Sequence, residues 1–161
     1  MLPQVESVKY LGIHFDRKLN WKEHIAKKRK QTDLKAKEIN WLIGRNSNLS
    51  LENKVLVYKA VIKPIWTYGI ERWGCASKSN VANIQRPQSK ILRTIANAPW
   101  FVSNHTLLTD LNIPHVSEVI NERIDENLNK LESHPNPLVE TLTQPKRNRR
   151  LKRSWTSDPH D

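Results

Sequence analysis

Clusters of lysine and arginine are the residues of this sequence with the clearest chemical use. Six of them crowd one segment near the C-terminal end: Lys146, Arg147, Arg149, Arg150, Lys152 and Arg153. Four more fall beside one another in a helical pattern nearer the start: Lys22, Arg29, Lys30 and Lys37. Ammonium and guanidinium groups bind phosphate oxygens. Both groups are therefore predicted to contact nucleic acid, with an ordinary solvated face as the alternative for the run from Lys27 to Lys30.

The overall charge points to the same kind of partner. The 161 residues carry 27 Lys and Arg against 16 Asp and Glu, which gives a formal charge of +11 and an isoelectric point near 10.0. Such a balance favours phosphate-rich partners. An anionic membrane surface is the rival, but no stretch approaches the ~20 apolar residues that span a bilayer. We therefore expect RNA or DNA as the partner, with no membrane and no small-molecule substrate.

Patterns typical of catalysis or metal binding are missing from the sequence. No two aspartates are adjacent, and the one cysteine, Cys75, has no second cysteine for a disulfide or a zinc site. Histidines with nearby acids, such as His24 with Glu23 or His105 with Asp110, have nothing to orient them. We expect no catalytic residue, metal ligand or cofactor in this chain. Cys75 is predicted to be a small, partly buried apolar residue.

The same cysteine count bears on the compartment. A lone cysteine is typical of reducing compartments, and the first ten residues lack the apolar core of a secretory signal. We therefore expect an intracellular protein, with nucleus and cytoplasm both open.

The basic groups need elements that position them, and the first of these are a hairpin and a helix. β-forming residues surround Gly12, so residues 5–16 are predicted to form a short hairpin or bent strand. A helical period then begins at Asn20, the predicted N-cap with Glu23 as its capping-box partner, and Gly44 is the predicted stop. The packed face of this helix is predicted to contain Trp21, Ile25, Thr32, Ala36, Ile39 and Ile43.

Further helices are predicted along the rest of the chain. Ser50 begins a strongly apolar helix that should be buried on several sides and bend just before Pro64. Another helix begins at Ser77 or Ser79, with a kink or break expected at Pro87. A short helix and a longer one are predicted over residues 105–111 and 115–131.

The fold class is therefore mainly α, with a short N-terminal β-hairpin followed by a helical bundle and a basic tail. We place the three regions at residues 1–18, 19–143 and 144–161, and the composition of the last is typical of disorder. The six tryptophans could stack on bases. Trp21 and Trp66 lie among apolar residues and are predicted to be core, whereas Trp155, beside the basic tail, is the better stacking candidate.

Several longer phrases occur in an order that is specific to one family. They are VKYLGIHFDRKLNWKEHI at 8–25, YKAVIKPIWTYGIERWGCAS at 58–77, QSKILRTIANAPWFVSNHTLLTDLNIP at 88–114, HPNPL at 134–138 and RRLKR at 149–153. They resemble the end of the palm and the thumb, in the C-terminal part, of reverse transcriptases from jockey-type non-LTR retrotransposons. The resemblance runs over nearly the whole chain, and an ordered set of phrases is far more specific than one short motif.

The resemblance implies a role in holding a template and its primer. Tyr10, Leu11 and Gly12 resemble a hairpin that positions the primer end, with a plain edge strand as the alternative. The helices that follow resemble a thumb, which grips the template-primer duplex by its backbone. Phosphate contacts of this kind position a duplex without reading its sequence.

The sequence departs from the family where catalysis would need it most. Polymerases of this kind hold two metal ions with a pair of adjacent aspartates and an upstream carboxylate. The sequence has no such pair, so Mg²⁺ is expected only in a full-length polymerase and the chain alone is not expected to be active. Together with Pro87, which stands where the resembled helix is continuous, this implies a truncated fragment. The alternative is a stand-alone basic helical protein that binds RNA or DNA.

Overall fold

The computed structural model describes residues 6–136, 138 and 139. Two strands, β1 (Ser7–Tyr10) and β2 (Ile13–Asp16), precede the helices. These are α1 (Lys22–Glu38), α2 (Asn40–Ile43), α3 (Leu51–Val57), α4 (Lys63–Thr67), α5 (Ile70–Trp73), α6 (Lys78–Ile95), α7 (Asn104–Asp110) and α8 (Val116–Glu132), with a π-helical turn, Tyr58–Ile62, between α3 and α4. The prediction of a mainly α fold with an N-terminal hairpin is confirmed. The division at residues 18 and 143 stays a prediction.

The hairpin packs on helices. β1 and β2 pair antiparallel from Ser7 opposite Asp16 to Tyr10 opposite Ile13. The turn residues Leu11 and Gly12 have φ of 46° and 78°, the left-handed pair that suits the twist of a two-residue hairpin. Ile13 and Phe15 of β2 then pack against the helical core. Among the described residues the sheet has these two strands alone, so apolar contact with the helices holds it in place.

The start of α1 differs from the prediction. Trp21, with φ of 62°, is the N-cap residue, and its side chain makes no capping bond. The Asp16 carboxylate fixes the loop before the helix, because its two oxygens accept from the backbone N–H groups of Asn20 and Trp21, both at 2.9 Å. Glu23 accepts from Lys27 Nζ at 2.6 Å rather than completing a capping box. The predicted capping box was wrong, because the Asn20 N–H that Glu23 would have bonded donates to Asp16 instead.

The single helix predicted between Asn20 and Gly44 is wrong, because the span is divided at Ile39 into α1 and α2, but its packed face and its stop are as expected. Of the predicted packed face, Trp21, Ile25, Thr32 and Ile43 are buried and Ala36 and Ile39 partly buried. Gly44 ends α2, and its N–H donates to Asn40 O at 2.8 Å.

The helical run from Ser50 to Thr67 contains a π-helical turn, Tyr58–Ile62, just before Pro64, where the sequence predicts a bend. Ser50 is the N-cap, and its hydroxyl accepts from Asn53 N–H at 3.4 Å. Pro64 has no N–H to donate, and the wider turn immediately before it accommodates the missing bond. The sequence predicts that this helix is buried on several sides, but Leu56 is 62% exposed. Lys54, by contrast, is buried. Lys54 Nζ donates to Gly44 O at 2.8 Å, which explains why a cation is tolerated there.

α6 is a single helix despite its internal proline. Ser77 is the N-cap, as one of the two predicted positions, with its hydroxyl 3.4 Å from Asn80 N–H. Of the kink or break predicted at Pro87, the break is wrong, since Lys78–Ile95 is uninterrupted, and the kink stays a prediction. Pro87 is buried, so packing of its ring offsets the lost backbone bond. α7 and α8 begin and end within one residue of their predicted bounds.

Two clusters of buried side chains form the core, and α6 contributes to both. The first includes Trp66, Trp73 and Ile84, and the second includes Tyr58 and Leu92. Trp21 and Trp66 are 6% and 1% exposed, which confirms that both are core. None of the helices formed by the described residues combines the length and apolar character that crossing a membrane requires.

Candidate nucleic-acid interface

A groove of about 510 Å³ runs between α1 and α6. Its cationic side chains come from both helices: Arg29 and Lys37 from α1, Arg86 and Lys90 from α6. Asp33 is the one acid among the lining residues, and Ala36, Asn40, Ile43, Pro87, Ile91 and Thr94 complete the lining. Four cations against one carboxylate give the groove an excess of positive charge. We call it the basic groove.

Helical spacing explains why these side chains share one groove. Arg86, Lys90 and Thr94 are four residues apart and so lie along one face of α6. Arg29 and Lys37 follow the same rule on α1, where they are two such steps apart. The two rows meet because α1 and α6 pack against each other, with the buried residues Ile43, Pro87 and Ile91 between them.

The four cations differ in how firmly they are held. Arg29 Nε lies 3.9 Å from Asp33 Oδ2, and its Nη1 donates to Asn83 Oδ1 on α6 at 3.5 Å. Lys37, Arg86 and Lys90 are exposed and form no ion pair with another described residue. Arg29 therefore has weak, exposed contacts with Asp33 and Asn83, while the other three have no ion-pair partner among the described residues.

The structure brings together only part of the predicted helix group. Arg29 and Lys37 line the basic groove, whereas Lys22 and Lys30 are exposed on α1 without lining it. The sequence prediction missed Arg86 and Lys90. Their spacing on a predicted helix was a usable signal, but which helix would pack beside α1 could not be read from it.

The hairpin turn lies on the other side of α1. Tyr10 and Leu11 are 65% and 72% exposed at its tip. Tyr68 donates its hydroxyl to Leu11 O at 2.6 Å, and a Cβ added at Gly12 would stand 3.3 Å from the Tyr68 ring. The Tyr68 ring in turn lies 4.6 Å below Lys28 Nζ, and burial lowers the pKa of this lysine.

Helix geometry separates this turn from the basic groove. Tyr68 shares a second groove with Lys28, Leu34, Lys35 and Glu38, residues of α1 about half a turn from those of the basic groove. Tyr10, Leu11 and Gly12 are thus held together with Tyr68, but the structure does not bring them to the basic groove. Their role at a primer end stays a prediction.

Other predicted positions fall outside the described residues. These are the six basic residues of the tail, Lys146, Arg147, Arg149, Arg150, Lys152 and Arg153, together with the stacking candidate Trp155.

The histidine and acid pairs do not form catalytic sites. His24 is fully buried near the rings of Trp21 and Trp73, and its Nδ1 accepts from the backbone N–H of His14 at 3.3 Å. Burial, with a smaller contribution from nearby Lys28, lowers the pKa of His24 to about 4. His24 is therefore a neutral core residue at neutral pH. Its neighbour Glu23 is bound to Lys27, whose Nζ helps to lower the pKa of the carboxyl.

The remaining reactive side chains are placed as ordinary structural residues. His105 lies beside Thr109 Oγ1 at 3.4 Å rather than against Asp110. Cys75 is half-buried and packs on the first core cluster, as predicted. Over residues 6–136, 138 and 139, no three His, Cys, Asp or Glu side chains lie close enough to hold a metal ion.

Curated relatives resemble this chain over most of its length. A Drosophila melanogaster protein named as a probable RNA-directed DNA polymerase from transposon X-element is 37% identical over 157 residues, 98% of this chain. A second from the same organism, named as a probable RNA-directed DNA polymerase from transposon BS, is 35% identical over 95% of the chain. The RNA-directed DNA polymerase from mobile element jockey of Drosophila funebris is 33% identical over 88% of it.

The chain spans about a sixth of the length of these relatives, since the matched part is 17%, 17% and 16% of each. The similarity confirms the resemblance to jockey-type reverse transcriptases predicted from the ordered phrases. No protein-family model and no solved structure matches the chain.

Proposed function

We propose that this chain is a C-terminal, non-catalytic part of a jockey-type reverse transcriptase and that it holds nucleic acid by its phosphates in the basic groove. Its similarity to a sixth of several RNA-directed DNA polymerases supports the first part. One observation carries the second part: α1 and α6 bring four cations to one groove, and three of them have no ion-pair partner among the described residues.

The proposed ligand is a template-primer duplex, gripped by a thumb-like bundle. Residues four apart on a helix lie about 5–6 Å apart, so Arg86 and Lys90 are close enough to meet successive phosphates of one strand. Arg29 adds a guanidinium from α1, on the other side of the groove. Contacts of this kind fix the position of a duplex and are insensitive to its sequence.

We assign no step of nucleotide transfer to this chain. The sequence has no adjacent aspartates to hold two metal ions, so Mg²⁺ and the reacting groups belong to other parts of a full-length polymerase. What the chain contributes is position: a duplex held in the groove cannot slide away from an active site supplied elsewhere.

A stand-alone RNA- or DNA-binding protein is the second candidate. One observation favours it: the described residues form two buried apolar clusters from their own side chains. A domain that folds independently has a hydrophobic core of this kind. Genomic sequence immediately upstream discriminates the two candidates. A palm-coding region in the same frame, or in one broken by a few mutations, favours the polymerase fragment.

The test of the proposed function is the salt dependence of duplex binding. Arg86→Gln/Lys90→Gln removes two of the free cations and keeps unbranched polar side chains of similar helix propensity. Each lost phosphate contact flattens the slope of log affinity against log salt by about 0.9, so the variant should lose about 1.8 in slope. Dissociation constants for a short blunt DNA duplex, measured between about 50 and 200 mM salt, give that slope.

Lys78→Gln/Lys130→Gln is the matched control, because both lysines are exposed on helices and neither lines the groove. It removes the same net charge and should leave the slope closer to that of the wild type. Equal slopes for the two variants would mean that overall charge, and not the groove, determines binding.

A further inference from the structure

We infer that Trp41 is a stacking platform for an unpaired base at one end of the basic groove. The preferred ligand would then be a duplex that continues into a single strand. This inference deepens the proposed function and rests on it, because the groove supplies the phosphate contacts and Trp41 adds a contact to the base.

A second cavity adjoins the basic groove. A cavity of about 360 Å³ is lined by Asn40, Trp41, Gly44, Arg45, Asn46, Ser47 and Thr94. Asn40 and Thr94 also line the basic groove, so the two cavities meet at these residues. A strand that follows Arg86 and Lys90 along α6 arrives next at Thr94, with Trp41 beyond it.

The indole ring of Trp41 is exposed to solvent. Trp41 is 76% exposed, whereas the core tryptophans Trp21, Trp66 and Trp73 are 6%, 1% and 0% exposed. Ile43, two residues on, is 2% exposed and anchors the short helix α2 in the core. Trp41 is therefore presented by a fixed element, and its ring is available to a base, whose stacking on an aromatic side chain needs no particular sequence.

Hydrogen bonds hold the backbone of the Trp41 cavity at Gly44. Gly44 N–H donates to Asn40 O at 2.8 Å, and the buried Lys54 donates to Gly44 O at 2.8 Å. A Cβ added at Gly44 would clash with Asn40 O, so the loop fits this path closely. A site that is already ordered loses little conformational freedom on binding.

The charge beside Trp41 also suits a nucleic acid. Arg45 lines the same cavity, is exposed and forms no ion pair with another described residue. Proteins that bind single-stranded nucleic acids combine aromatic rings, which stack on the bases, with cations, which contact the phosphates. Arg45 thus extends the basic groove beyond the end of α1.

A second exposed aromatic group provides the matched control. Trp100 and Phe101, in the connection between α6 and α7, are 89% and 71% exposed, and their ring centroids are 6.0 Å apart. Arg93 braces this connection by donating to Pro99 O at 2.6 Å and to Val102 O at 2.8 Å. Neither aromatic residue lines the basic groove or the Trp41 cavity. Trp100 is therefore an exposed indole that lies outside both cavities, so it is not expected to stack on the unpaired base.

The experiment compares two probes: a short blunt DNA duplex, and the same duplex with a short single-stranded extension. The full chain should bind the extended probe roughly tenfold more tightly than the blunt one, from one stacked base. Trp41→Ala should abolish this preference and leave the affinity for the blunt duplex unchanged. Trp41→Phe, which keeps an aromatic face, should retain part of it, and Trp100→Ala should retain all of it.

The outcomes separate this inference from the proposed function. If Arg86→Gln/Lys90→Gln weakens binding of both probes while Trp41→Ala removes only the preference, both hold. If Trp41→Ala keeps the wild-type preference, or if Trp100→Ala loses it as well, Trp41 is not the platform and the inference is overturned, whatever the groove does. If the groove variant binds both probes like the wild type, the proposed function fails, whether or not the preference depends on Trp41.

Discussion

Replacing the basic residues of the tail with glutamine is expected to remove the larger part of the salt-dependent affinity for a DNA duplex. The residues are Lys146, Arg147, Arg149, Arg150, Lys152 and Arg153. With one phosphate contact each, their loss would flatten the slope of log affinity against log salt by up to about 5, against about 2 for two groove residues. The measurement is the dissociation constant of a short blunt duplex over a range of salt concentrations.

A variant with the order of residues 144–161 shuffled is the control, since it keeps the charge of the tail. Electrostatic binding that is insensitive to sequence should survive the shuffle. A glutamine variant with the affinity and slope of the wild type would show that the tail makes no phosphate contacts. Binding would then rest on the basic groove alone.

Lowering the pH from about 7 to 5 is expected to cost roughly 2 kcal/mol of the free energy of unfolding through His24. The folded pKa of His24 is about 4, below the 6.5 of a solvent-exposed histidine. In this window the unfolded chain binds a proton at His24 and the folded chain does not, so protonation favours unfolding. The contribution of neutral His24 to the free energy of unfolding is fully present above pH 6.5 and is lost as the pH falls towards 4. Burial and the Lys27 charge also lower the pKa of His14, which adds a term of the same sign.

His24→Asn tests this assignment. Asparagine has no proton to gain, and its side-chain oxygen can replace His24 Nδ1 as the acceptor for the His14 N–H. Chemical denaturation at several pH values should show a much smaller loss of stability for this variant than for the wild type. His105→Asn, at an exposed position of α7, should lose as much stability as the wild type. A His24→Asn variant with the full wild-type loss would place the pH dependence elsewhere.

Features that depend on a few neighbouring residues could be predicted from the sequence. Ser50 and Ser77 cap the helices that follow them, and Gly44 ends α2, because a cap or stop acts over one turn. The π-helical turn before Pro64 accommodates its missing N–H. The same reasoning allowed a break at Pro87 that does not occur, because the effect of a buried proline depends on what packs around its ring.

Features that depend on contacts across the chain could not be predicted in this way. Asp16, at the end of a strand, fixes the loop before α1, in which Leu19 and Trp21 have positive φ. The basic groove needs α1 and α6 side by side, so Arg29 was a candidate and Arg86 was not. Spacing along one helix shows which face is charged, but tertiary packing decides which charged faces meet.

The central claim is that nucleic acid binds in the groove between α1 and α6, and the most direct measurement is an NMR titration of the full chain. Backbone amide shifts are followed while a short blunt DNA duplex is added. The expected result is that the largest shifts map to the groove, around Arg29, Lys37, Arg86 and Lys90, with further shifts in the tail. Shifts confined to the tail, or centred on the turn at Tyr10–Gly12 with the groove unchanged, would contradict the account.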